Sequence, residues 1–192
     1  MRGHGTKMSK TAFKEFIERE RTVVARQKNI DWEKRKHLFL KRVNVLFDDV
    51  ENFLQEFTDS KAVRLEKDVT KIDEEYVGEY EAPVLRIHIY GKHADLMPVG
   101  TNVIGTPGRV DLKGRFDAIR LILADKKEKS PQSFAGISWA PMDKERVREK
   151  AEEWMQRKRH YVWKIITDPP DIEYIELDED NFLSALQEVI DG

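Results

Sequence analysis

Two segments in the middle of the chain combine residue types that could do chemistry. The segment GRVD ends at Asp111, and the segment ADKK brings Asp125, Lys126 and Lys127 to the far end of the next predicted strand. Carboxylates and a lysine amine that converge in one cleft can carry acid–base chemistry. The surrounding region, Leu96–Lys127, is rich in glycine but contains neither nucleotide-loop pattern, G-x-G-x-x-G or G-x-x-x-x-G-K-[ST]. Its glycines are therefore predicted to form turns between strands.

The pattern GRVD…ADKK resembles the core motif of the PD-(D/E)xK nuclease superfamily. In that motif, two carboxylates on adjacent strands hold Mg²⁺, and a lysine two residues after the second carboxylate positions or activates the attacking water. The resemblance implies that Asp111 and Asp125 are metal ligands and that Lys127 is the catalytic lysine. Both carboxylates must then point to the same side at neighbouring strand positions. The alternative is that these residues are ordinary charges at the ends of hairpins.

Two further groups of residues have types and spacings that could form a site. His88 and His93 flank a predicted turn and form, with Asp95, a His-x₄-His-x-Asp set that is either a loose metal site or a pair of surface histidines. The segment GISWA places Ser138 in an imperfect G-x-S-x-G frame, but Pro141 argues against the strand-to-helix elbow that a serine nucleophile needs. Neither group predicts a catalytic centre.

Positive charge is concentrated in two segments. Residues 1–50 carry a net charge of +6 and residues 144–164 a net charge of +4, whereas residues 168–192 carry −9. In both basic segments aromatic residues lie among the cations, a composition that can contact phosphates and stack on bases. Solvated helical faces are the alternative interpretation. The candidate nucleic-acid-binding residues are Lys34, Arg35, Lys36, Arg157, Lys158 and Arg159.

The strongest periodic signal predicts a long helix that begins after a capping aspartate, Asp31. Its apolar residues recur with a 4-3-4-3-4 spacing, which indicates either a helix packed across a sheet or a contact surface for a second copy of the chain. This apolar stripe consists of Phe39, Val43, Leu46, Val50, Phe53 and Phe57.

After Ser60 the periodicity becomes alternating, which places Val63, Leu65 and Val69 on the inward face of the first predicted strand, and turn residues separate short β-branched runs. Further helices are predicted from Thr11 to Asn29, from Pro141 to about Lys158 and from Asp178 onward. The sequence therefore predicts an α+β fold: a mainly antiparallel multi-stranded sheet, with N-terminal helices and further helices packed on it, in the order α-α-β(several)-α-β-β-α. Residues 1–10 are predicted to be a disordered N-terminus. Residues 11–58 are a helical segment that packs on the α+β core of residues 59–192 as one domain.

Composition narrows the class of protein. The chain has 192 residues, of which 36% are charged, compared with about 25% in an average globular protein. It has no cysteine and no apolar run close to the ~20 residues that span a bilayer, so we expect a soluble, cytoplasmic protein without disulfides or membrane contact. These features favour a non-catalytic binding protein that has a protein or nucleic-acid partner and no cofactor. The alternative function is an Mg²⁺-dependent nuclease that uses Asp111, Asp125 and Lys127.

Overall fold

Seven strands and three helices make up most of the described chain. The computed structural model describes residues 13–15, 17, 31–101, 106–131 and 160–191. The strands form one antiparallel sheet whose spatial order is the chain order, and this confirms the predicted α+β class. The strands are β1 Val63–Glu74, β2 Gly78–Ile89, β3 Lys92–Gly100, β4 Arg109–Lys113, β5 Ala118–Asp125, β6 Tyr161–Ile166 and β7 Tyr174–Glu176. The helices are α1 Trp32–Phe53, α2 Gln55–Asp59 and α3 Glu179–Asp191.

Three predicted segments lie wholly or partly outside the described residues. The predicted N-terminal tail, residues 1–10, and the helix predicted from Pro141 to about Lys158 lie outside the described residues. Of the helix predicted from Thr11 to Asn29, residues 13–15 and 17 are described, and they are helical.

Helix α1 begins at the predicted cap. The Asp31 carboxylate accepts a hydrogen bond from the backbone N–H of Lys34 at 2.9 Å, which satisfies one of the helix's unpaired amide groups. The apolar stripe packs against the chain's own sheet. Four of its residues, Phe39, Val43, Leu46 and Val50, are at most 1% exposed, Phe53 is half-buried, and Phe57 is 37% exposed. A second copy of the chain could contact those four side chains only if they left the core.

Tight turns set the register of the sheet. Tyr90 and Gly91 both have positive φ, at 43° and 84°, which is the requirement of a two-residue type I′ hairpin turn. The turn pairs Ile89 with Lys92 and so places Leu85 opposite Leu96. Because side chains alternate along a strand, Leu85, Leu96 and their neighbours form a buried face that α1 and α3 cover. We call this the helix face.

The far half of the β1–β2 hairpin differs from the predicted pattern. Val69 was expected to point into the core, but it is 63% exposed, whereas Ile72 is 7% exposed. Strand β3 pairs with β2 only as far as Leu85, so the rest of the hairpin is a two-stranded ribbon. Such ribbons twist more strongly than wider sheets. The twist turns the other side of the ribbon, which carries Tyr80, toward the first turns of α1.

Helix α3 covers the part of the helix face that α1 does not cover. Asp178 caps it as predicted, since its carboxylate accepts the backbone N–H of Asn181 at 2.9 Å. Its contact with the β4–β5 turn is close: a Cβ added to Gly114 would lie 1.7 Å from the carbonyl oxygen of Val189. The buried side chains of α3 are Phe182, Ala185, Leu186 and Val189.

Candidate nucleic-acid interface

The charge of Asp111, the first acid of the nuclease-like motif, is neutralised by an arginine on the same strand. The residue is 5% exposed, and its carboxylate receives two hydrogen bonds from Arg109, Nε to Oδ1 at 2.6 Å and Nη2 to Oδ2 at 2.9 Å. A bidentate arginine–carboxylate pair of this kind is among the stronger charge-assisted contacts in proteins. Both oxygens of Asp111 are therefore already engaged.

The structure does not bring Asp111 and Asp125 together. Asp111 lies opposite Arg120 on β5, and Asp125 follows five residues later, about 17 Å along the strand. Five is an odd number, so the side chains project from opposite faces of the sheet. The Asp125 carboxylate instead accepts the backbone N–H of Lys127 at 3.0 Å, and the Lys127 side chain is exposed. Among the described residues no group of three or more His, Cys, Asp and Glu side chains could hold a metal ion.

The histidine group is also divided between separate contacts. His88 and His93 are opposite one another, with ring centroids 6.1 Å apart. The His88 Nε2 atom lies 3.1 Å from a carboxylate oxygen of Glu66, whereas Asp95 binds Arg86 through two hydrogen bonds. The two histidines and Asp95 therefore do not form a common ligand set.

The three basic residues predicted at the start of α1 have different environments. Lys34 is exposed. Arg35 is half-buried and donates a hydrogen bond to the carbonyl oxygen of Thr101 at 2.5 Å. Lys36 forms an ion pair with Glu33 at 2.7 Å, so its charge is compensated locally. The other predicted cations, Arg157, Lys158 and Arg159, lie outside the described residues, as does Ser138.

A second Lys-Arg pair, at positions 41 and 42, extends the basic surface. It repeats the pair at positions 34 and 35 after seven residues, which is two helical turns or about 10.5 Å along the axis. Residues seven apart share one side of a helix, so the four cations form two parallel rows. We call Lys34, Arg35, Lys41 and Arg42 the cation ladder. The repeat is visible in the sequence, but Lys41 and Arg42 were not among the predicted binding residues.

Three residues of the ladder, Lys34, Arg35 and Arg42, border a groove that α1 forms with the end of β5, the start of β6 and Pro107, whereas Lys41 lies outside it. The groove has a volume of about 280 Å³. Tyr161 forms part of its wall, and the Arg42 guanidinium lies 5.1 Å from the centroid of that ring. The lining residues are Asp31, Lys34, Arg35, Leu38, Phe39, Arg42, Pro107, Leu123 and Tyr161.

The electrostatics of the groove favour an anion. In the described part of the chain, no ion pair involves any of the four ladder cations, and the acid of the groove, Asp31, caps the helix. Burial lowers the pKa of Arg35 and of Arg42, and at Arg35 the nearby Glu74 carboxylate partly offsets this shift. Both side chains remain charged at physiological pH, because the ordinary pKa of arginine lies far above that range. The three cations that line the groove, Lys34, Arg35 and Arg42, outnumber its one lining acid, Asp31, so the groove carries net positive charge.

The distribution of charge along α1 is largely the reverse of what the helix macrodipole favours. One acid, Glu33, lies in the first turn, but the cations also lie in the first half, and the acids Asp48, Asp49 and Glu51 lie in the second half. The helix macrodipole favours acids near the N-terminus and cations near the C-terminus. Burial, with a contribution from neighbouring Asp48, also raises the pKa of Asp49. The stability of α1 therefore does not explain why its cations are where they are.

A second cleft, of about 350 Å³, lies between α3 and the ends of β5, β6 and β7. Its polar side chains bind one another or nearby backbone. Arg120 pairs with Asp168, Asn181 donates to the carbonyl of Glu176 at 3.1 Å, and the Ser184 hydroxyl donates to a backbone carbonyl at 2.8 Å. This cleft therefore offers a ligand fewer unpaired groups than the ladder groove does.

Comparisons of the chain with protein-family models, with curated proteins and with solved structures found no match. No helix among the described residues is both long and apolar enough to cross a membrane. The function of the chain is therefore inferred from the geometry and charge of the groove.

Proposed function

We propose that this protein binds nucleic acid, and that the phosphate backbone lies along the cation ladder of α1. The observation that supports this function most directly is the repeat of a Lys-Arg pair in two adjacent rows along one helix, because its four cations, Lys34, Arg35, Lys41 and Arg42, form no ion pair among the described residues. Phosphates are the partners that such a row of cations fits, because each contact releases a condensed counterion.

The groove geometry supports a polyanion more than a single small anion. The two Lys-Arg pairs are about 10.5 Å apart, a span that several successive phosphates would occupy. The aromatic wall at Tyr161 adds a surface on which a base can stack. The acidic segment, residues 168–192, has the sign of charge that the nucleic acid carries, so this segment would face away from it.

Salt dependence tests the proposal. Each phosphate contact changes the slope of log K against log salt by about 0.7 to 0.9, so four contacts predict a loss of affinity of about 50- to 150-fold between about 50 and 200 mM salt. The measurement is fluorescence anisotropy of a labelled oligonucleotide, titrated at several salt concentrations. In the double variant Lys34→Gln, Lys41→Gln, the loss should shrink to about 7- to 12-fold, with weaker binding at every salt concentration.

A matched control removes the same charge elsewhere. Lys71 and Lys92 are exposed and form ion pairs with Glu79 and Asp191, away from the groove. The double variant Lys71→Gln, Lys92→Gln should keep the wild-type salt slope. If the wild type fails to bind at low salt, or if both double variants lose affinity equally, the ladder is not a nucleic-acid interface.

A further inference from the structure

Two aromatic groups lie at the two ends of the ladder, and each is paired with one of its arginines. At the first end the Arg35 guanidinium lies 5.3 Å from the centroid of Trp32, and Trp32 stacks on Tyr76 with centroids 5.4 Å apart and an interplanar angle of 15°. At the second end Arg42 lies over Tyr161. The unit of one arginine and one aromatic group is thus repeated after two helical turns.

The rings are partly accessible. Tyr76 is 38% exposed at the tip of the β1–β2 hairpin, and its stacked partner Trp32 is half-buried. Tyr161 is half-buried and faces the groove. An aromatic ring that keeps part of its surface in solvent beside a cation can stack on a nucleobase while the cation contacts the phosphate.

We propose that the nucleic acid bound at the ladder is a single strand, whose bases stack on Tyr76 and on Tyr161. This inference rests on the proposed function and adds that the bound nucleic acid is single-stranded. The bases of a duplex are already paired and stacked inside the helix, so the rings would contribute nothing to duplex binding. A single strand exposes its bases and gains from both the cations and the rings.

The test compares three polyanions that carry the same charge: a single-stranded oligonucleotide, a duplex of half its length and inorganic polyphosphate. The single strand is expected to bind at least ten-fold more tightly than the other two, because one stacked base contributes about that factor. Equal affinity for all three would overturn the stacking inference and leave the proposed function standing. If neither nucleic acid binds, the proposed function fails, and the stacking inference fails with it.

Ring variants provide a second readout. Tyr76→Leu and Tyr161→Leu keep apolar volume and lose the ring, and each should weaken single-strand binding about ten-fold without changing the affinity for polyphosphate. Tyr76→Phe and Tyr161→Phe should retain wild-type affinity. Thermal unfolding of each variant identifies any that fails to fold, and the exposed Tyr76 keeps the test decisive if Tyr161→Leu is unstable. Unchanged single-strand affinity in a folded Tyr76→Leu protein, or an equal loss for polyphosphate, would refute the stacking role.

Discussion

The substitution Lys34→Gln is expected to change stability and binding in opposite directions. Lys34 is the third residue of α1, its side chain is exposed, and it forms no ion pair in the described part of the chain. Removing a cation from the first helical turn relieves an interaction that disfavours the helix by about 0.3 to 1 kcal/mol. Glutamine at this position can also bond back to the backbone N–H of the capping residue, Asp31. We therefore expect a gain of about 0.5 kcal/mol in the free energy of unfolding, or about 1 to 2 °C in Tm.

The same substitution removes one phosphate contact from the ladder. The slope of log K against log salt should become shallower by about 0.7 to 0.9, and affinity at low salt should fall. Urea unfolding followed by circular dichroism measures the stability, and fluorescence anisotropy measures the binding. Lys92→Gln is the control: it breaks an exposed ion pair with Asp191 and should leave binding unchanged. If Lys34→Gln lowered stability and left the salt slope unchanged, the role of Lys34 would be to stabilise the helix. That result would refute the proposed phosphate contact.

Three further predictions concern the fold. Gly114→Ala places a Cβ 1.7 Å from the Val189 carbonyl oxygen, so it should cost about 2 to 4 kcal/mol in urea unfolding; a cost under about 0.5 kcal/mol would contradict that contact. Burial raises the pKa of Tyr80 well above its ordinary value, so stability should fall as the pH rises above about 10, where the unfolded chain ionises; a Tyr80→Phe variant with the same fall would exclude this cause. The hydrogen bond from Lys92 lowers the pKa of Asp191, and Lys92→Met should return it toward its ordinary value in an NMR titration.

Much of the fold was predicted because its signals are local. The spacing of apolar residues in α1 reports which side of one helix is buried, and the cap at Asp31 reports where the helix starts. The strands were predicted for the same reason, since alternation and turn residues are properties of a few successive positions. Val69 is the exception. Its burial depends on how far β3 extends along β2, which is a relation between distant segments.

The candidate nuclease site shows that local sequence patterns do not determine the distance between residues on neighbouring strands. The motif places two acids near the ends of neighbouring strands, but their distance depends on the register between β4 and β5. In the structure the β4–β5 turn pairs Lys113 with Ala118, which in turn sets Asp111 opposite Arg120. If β4 still ended at Lys113, a register that paired Asp111 with Asp125 would place Leu123 opposite Lys113 and lengthen the loop from residues 114–117 to residues 114–122. The spacing of fourteen residues between the two acids contains no information about which register forms.

The ladder groove combines a local pattern with a non-local one. The repeat of Lys-Arg after seven residues is local, because any helix places such pairs on one side. The position of Tyr161 is non-local: pairing of β5 with β6 sets Trp163 opposite Leu123, and the indole of Trp163 donates to the Arg42 carbonyl at 2.9 Å. That hydrogen bond holds α1 against β6 and so places the ring of Tyr161 under the guanidinium of Arg42. The sequence of one helix is therefore enough to predict the cations of the interface. The position of its aromatic wall, in contrast, depends on the register between strands that are distant in the sequence.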